Sequence, residues 1–123
     1  MKKVVSKVRR LMPLVLSKKL PGEFWVVQIT EGKSQELNRM FRRKNCPTNV
    51  LSFLYGKDYG EILVCPEVIR REAKEQRNTY KYQMTWMILH GMLHLAGMHH
   101  ERSRSAAGRV EKLEEKILSK IFK

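Results

Sequence analysis

The chain has 123 residues, 42% hydrophobic and 30% charged, which suits one buried core and is too short for a second full-sized domain, so a single domain over 1–123 is expected. Twenty-five Lys and Arg against twelve Asp and Glu leave a net charge of +13, which points to a polyanionic partner such as RNA, DNA or an anionic membrane surface. No run approaches the roughly 20 apolar residues of a membrane-spanning helix, and two cysteines, Cys46 and Cys65, exclude a disulfide scaffold and suit reduced thiols in a cytoplasmic protein.

The first twenty residues hold seven cations and no acid. Their apolar stretch, Leu11 to Leu16, contains Pro13 and runs into Lys18 and Lys19 without a small-residue cleavage site, so the segment is expected to belong to the fold. Val4, Val5, Val8, Leu11, Met12 and Val15 recur at helical spacing, which predicts an amphipathic helix over 3–19, interrupted or kinked near Pro13. Pro21 and Gly22 make a turn, and the β-branched and aromatic run Glu23 to Thr30 predicts a strand. Lys33 to Arg42 predicts a short helix with Leu37 and Phe41 on one face, ending in the basic cluster Arg39, Arg42, Arg43 and Lys44.

Asn49 to Leu54 and Glu61 to Cys65 predict two further strands joined by a turn at Tyr55 to Gly60, hence a hairpin. Pro66 is placed to open a helix that runs through Glu67 to Arg77. Tyr82 to Leu95 is apolar on nearly every face, which predicts a central buried helix ended by Gly97. The last helix, about Ser105 to Phe122, places Val110, Leu113, Ile117, Leu118 and Ile121 on one stripe, while Glu111, Glu114 and Glu115 among Lys112, Lys116 and Lys120 read as its solvated face. The order implies an α+β domain: a small, three- to four-stranded sheet packed with helices, the central helix carrying the histidines.

All four histidines, His90, His94, His99 and His100, fall within eleven residues. His90 and His94, four apart on a helix, project from one face and can share one metal ion. Two imidazoles on an otherwise apolar helix are costly to bury unless a ligand compensates them. Gly97 lets the chain turn back and offer a third ring from His99 or His100, and the spacing H-x-x-x-H-x-x-G-x-x-H, shared with metzincin zinc sites, selects His100. Three neutral nitrogens leave an open position for water, as in catalytic zinc sites, though other divalent transition metals suit the same donors. Cys46 or Cys65 completing a closed structural site is the alternative. The metzincin glutamate after the first histidine is absent, Gly91 standing in its place, so a zinc peptidase lacks its general base.

These residues also carry a resemblance. LNRMFRRKNCPTNVLSF (Leu37 to Phe53), GEILVCPEVIRREA (Gly60 to Ala73), HGMLHLAGMHH and KLEEKIL (Lys112 to Leu118) resemble, in order, the motifs of the YbeY family of bacterial metal-dependent endoribonucleases. The resemblance implies zinc held by His90, His94 and His100, an active-site arginine at Arg42, and no further small-molecule cofactor. It implies a single-strand-specific endoribonuclease of the cytoplasm, acting on ribosomal RNA at the ribosome in 16S 3′-end maturation and late quality control, with no membrane partner. The family's typical Asp is His99 here, its usual proline after Ser-Phe is Leu54, and its first strand is expected to be missing or degraded.

A cationic fork at Arg42 is what phosphodiester cleavage calls for, because charge accumulates on nonbridging oxygens that Arg can bridge, while zinc lowers the pKa of its water. Thr48, Asn49 and Ser52 adjoin Arg42; ordinary turn and strand polarity accounts for Thr48 and Ser52. Two other classes stand beside the nuclease: a zinc peptidase-like hydrolase, and a non-catalytic ribosome-binding assembly factor in which metal staples the fold.

Overall fold

The computed structural model describes residues 1–98 and 104–123. His99, His100 and Glu101 lie outside the described residues.

The N-terminal stretch forms two helices, α1 (Lys2–Leu11) and the single turn α2 (Leu14–Ser17), where one interrupted helix was expected. Proline disfavours helical backbone in the residue before it, and Met12 is accordingly extended (φ −69°, ψ 143°). The break rotates α2 off the apolar stripe, so Val8 is buried while Val15, expected on the same face, is 65% exposed.

Strand β1 (Glu23–Gln28) is two residues shorter than the apolar run suggested, because Thr30 is taken as a helix cap: its Oγ1 accepts the Lys33 N–H at 3.1 Å and opens α3 (Glu31–Arg42). The same effect starts α5 (Tyr80–Leu95) before Tyr82, with Thr79 Oγ1 accepting the Tyr82 N–H at 3.1 Å. Strands β2 (Val50–Leu54) and β3 (Tyr59–Val64) form the expected antiparallel hairpin, closed by the Tyr55 N–H donating to the Tyr59 carbonyl at 2.8 Å. Tyr59 and Gly60, expected in the turn, belong to β3 because β1 pairs with them in parallel, Glu23 against Tyr59 and Phe24 against Gly60. The sheet order is β1-β3-β2, three strands in all.

Alternation on β3 sends Gly60, Ile62 and Val64 to one face of the sheet, where Ile62 and Val64 are fully buried. Against that face lies α5, with Met84, Met87, Ile88, Leu89, Met92 and Leu93 all buried, the central helix expected of an all-round apolar segment. Truncating one of the large aliphatic members to Ala costs about 2–5 kcal/mol. Helices α1, α4 (Pro66–Gln76) and α6 (Arg104–Ile121) pack on the flanks of α5. The opposite face of the sheet leaves Trp25 and Val27 of β1 and the rings of Phe53, Tyr55 and Tyr59 partly or largely exposed.

Candidate active site

A cleft of about 670 Å³ opens between the end of α3, the start of β2, α4, α5 and α6, and both His90 and His94 line it. The α5 geometry brings the two rings together, with centroids 4.6 Å apart and planes at 45°. Helix α5 ends as its glycine implied. Gly97 (φ +94°) donates its N–H to the His94 carbonyl at 2.9 Å and Met98 donates to the Leu93 carbonyl at 2.9 Å, the paired bonds of a Schellman cap.

Beneath the rings stands Glu114 of α6, 4% exposed, contrary to its reading as part of a solvated face. Its Oε1 accepts the Trp86 Nε1–H at 3.1 Å, and its Oε2 lies 2.6 Å from His90 Nδ1. A carboxylate only accepts, so the ring donates to it through Nδ1–H. That is the arrangement in which a metal-ligating histidine is oriented by an outer carboxylate. The signal for Glu114 was present in the sequence: it is four residues after Val110 and three before Ile117, an acid in the middle of an apolar stripe.

Arg42 stands on the rim. It is the last residue of α3, and Arg43 beyond it adopts a left-handed conformation (φ 59°), turning the chain so that Arg42 and Lys44 both line the cleft. The returning loop is clamped along α3 by two buried polar side chains. Ser34 Oγ donates to the Thr48 carbonyl at 2.7 Å and accepts the Thr48 N–H at 2.8 Å, and Asn38 Nδ2 donates to the Cys46 carbonyl at 2.9 Å. Asn49 reaches the cleft wall and donates its Nδ2 to Glu72 Oε1 at 2.9 Å. Glu72 and Glu111, which sequence reasoning also passed over, line the same cleft. Ser52 Oγ faces the Gly91 carbonyl at 3.4 Å, on the sheet-side surface of α5.

Among the described residues, no three His, Cys, Asp or Glu side chains are grouped to hold a metal ion; His90 and His94 are the two imidazoles gathered there, and His100 lies outside the described residues. The donor chemistry of this pair fits a transition metal, since imidazole nitrogen is a common transition-metal donor and one of the two rings is oriented by a carboxylate. The cysteine alternative finds no place here. Cys65 is fully buried and Cys46 is exposed, both are free thiols, and neither lines the cleft.

Gly91 faces away from the cleft. A Cβ on it would sit 2.7 Å from Ile62 Cγ2 and 3.1 Å from Ser52 Oγ, so this is the surface on which α5 meets β3 and β2. A glutamate at 91, as a metzincin peptidase carries, has no room and would point into the sheet.

The fold and cleft define an α+β domain in which a central helix presents paired imidazoles, one seated on a buried carboxylate, beneath a cationic rim. The chain belongs to the YbeY family: the profile described as Endoribonuclease YbeY matches residues 1–122. It is 37% identical over 109 residues to the Endoribonuclease YbeY of Bdellovibrio bacteriovorus, covering 87% of this chain and 72% of that protein. It is 34% identical over 139 aligned residues to that of Thermodesulfovibrio yellowstonii, covering 98% and 87%. Against the Thermotoga neapolitana protein it is 44% identical over 77 residues, 62% of this chain, and spans about half (52%) of that relative's length. The solution structure of TM1509 from Thermotoga maritima superposes with a TM-score of 0.61 at 28% identity, over 97% of this chain and 84% of that one.

Proposed function

We propose that this chain is a metal-dependent endoribonuclease that cuts single-stranded ribosomal RNA in the cytoplasm, with a part in 16S 3′-end maturation and ribosome quality control. The observation that carries the reading is the seating of His90 on Glu114, with the His94 ring beside it, in a cleft whose rim bears Arg42 and Lys44. The relatives' shared name and the net charge of +13 support RNA as the substrate. The room denied at Gly91 counts against the peptidase reading.

Zinc or another divalent transition metal held by His90, His94 and His100 would supply a Lewis acid and an acidified water. The chain's own residues do the rest. Arg42 offers a planar fork of donors to two nonbridging oxygens of the scissile phosphate, where charge builds as the bond breaks. Lys44 serves as a point charge for the adjoining backbone. Asn49 is held by Glu72 and presents a fixed amide to the cleft. The acids Glu72, Glu111 and Glu114 repel phosphate from the α4 and α6 walls, which biases the RNA backbone towards the Arg42 rim.

The test is cleavage of an unstructured RNA beside metal analysis of the purified protein. Arg42→Ala is expected to keep its metal and lose about 10²–10³ in turnover, whereas His94→Ala loses metal and activity together. Full activity in Arg42→Ala refutes the role given to Arg42. Digestion of an unfolded protein in place of RNA refutes the substrate class.

A further inference from the structure

One feature of the molecule lies outside the cleft and begins beside it. Phe41, the residue before Arg42, packs edge-on against Phe53 with ring centroids 5.1 Å apart. Phe53 stacks with Tyr55 at 6.4 Å, and Tyr55 with Tyr59 at 5.6 Å, the last two pairs both inclined by 28°. The four rings make a continuous row from the end of α3 across the hairpin, on the sheet face that α5 does not cover. Phe41 is 60% exposed and Tyr55 55% exposed, a large apolar investment to leave in water.

The row is held in place. Tyr55 Oη donates to Glu61 Oε1 at 3.0 Å and Tyr59 Oη donates to Glu61 Oε2 at 3.4 Å, so one carboxylate on β3 fixes both phenols. Desolvation, with Glu61 beside them, raises the pKa of both hydroxyls, so they remain donors through neutral pH. Glu61 also makes this face unwelcoming to phosphate, while Arg39, Arg42, Arg43 and Lys44 flank Phe41 in the chain and two of them, Arg42 and Lys44, line the cleft. A ligand with flat faces and an anionic backbone satisfies both halves: rings against rings, backbone towards the cations. Single-stranded nucleic acid has that chemistry, since every base presents a π-face and stacking needs no base pair to read.

We propose that the row Phe41, Phe53, Tyr55 and Tyr59 is a base-stacking track that carries single-stranded RNA to the cleft. The inference rests on the nuclease reading above, and extends it from the scissile phosphate to the strand beside it.

The experiment measures binding, not cleavage, with the metal-free full chain and a fluorescein-labelled, unstructured 12-nucleotide RNA, over a salt series. Phe41→Ala and Tyr55→Ala are each expected to weaken binding about tenfold, within the usual range for one lost stack, while leaving the slope of log K against log salt unchanged. Lys44→Gln should instead reduce that slope. Tyr55→Trp should bind as the parent does and Tyr55→Leu should not, because a ring and not mere apolarity is required. Both ring positions are exposed, and thermal melts of the variants verify that the fold is kept. If Tyr55→Leu binds like the parent, or the ring variants alter only self-association of the chain, the row is a protein-docking surface and the proposal is wrong. If the metal-free parent binds RNA and the ring variants bind it equally well, the track is refuted while the nuclease reading stands. If the metal-free parent does not bind RNA and the zinc-supplied parent does not cleave it, both fall.

Discussion

Replacing Glu114 by Gln changes one oxygen for an NH₂ group, and the structure says which way the new amide must face. Trp86 Nε1–H can only donate, so the amide oxygen turns to it, at the position now 3.1 Å away. The NH₂ then meets His90 Nδ1, where the carboxylate oxygen now lies at 2.6 Å, and donates to it. The ring proton is thereby driven to Nε2, the nitrogen that a metal needs bare. Loss of an outer-sphere partner of this kind lowers metal affinity about 10–100-fold. Stability should fall only modestly, since both donors of the network still find partners after the ring changes tautomer. Glu114→Ala is the contrasting case: it removes the acceptor of the part-buried Trp86 and His90 donors and empties the place of a side chain only 4% exposed, so it should cost more stability than Glu114→Gln, about 1–3 kcal/mol in all. The assay is competition for zinc against a chromogenic chelator, paired with ¹⁵N imidazole shifts of the metal-free protein. Zinc affinity in Glu114→Gln within twofold of the parent, with His90 still protonated at Nδ1, would refute the reasoning.

Two further outcomes follow from the same contacts. Gly91→Ala should lower the urea midpoint, because overpacking against Ile62 costs about 1–3 kcal/mol and exceeds the roughly 1 kcal/mol gained in helix propensity; an unchanged or raised midpoint would show that β3 yields more readily than the 2.7 Å approach implies. In an alkaline titration followed by phenolate absorbance, Tyr55 and Tyr59 should ionise above the ordinary tyrosine value of about 10, from desolvation and then Glu61, and Glu61→Gln should lower both in part, leaving the share due to desolvation. Because the folded state raises these pKa values, the stability they contribute is whole below the unfolded value and is lost as pH rises through the folded one. Ionisation of both at the ordinary value in the parent chain contradicts the contact.

What the sequence made legible, and what it did not, divides along physical lines. The α+β class and the buried α5 followed from hydropathy patterning, which is local and strong over sixteen residues. Boundaries slipped where a single side chain decided them: Thr30 and Thr79 took cap positions that propensity alone does not weigh against a strand or a loop. The parallel pairing of β1 with β3 depends on contacts 36 residues apart, Glu23 with Tyr59, and nothing in either segment announces it. At the site, the His90 and His94 pair was legible because both lie on one helix. Glu114 was misplaced because its partner is on another helix, and its charge outweighed its position in the stripe. The aromatic row was illegible for the same reason, Phe41 and Phe53 meeting only once α3 folds back over the hairpin.

The rotation of α5 about its own axis links these contacts to the chemistry. Successive helical residues differ by about 100°, so adjacent positions must satisfy different neighbours. Gly91 admits Ile62 and Ser52, and only a residue without a side chain lets the helix lie so close to the sheet. His90, one position earlier, is thereby turned towards α6 and onto Glu114, and His94 follows it one turn later onto the same cleft wall. A side chain at 91 would therefore do more than destabilise. By pushing α5 off β3 or rolling it, it would alter the reach between His90 and Glu114, so that contact is held in part by a glycine that faces the opposite way.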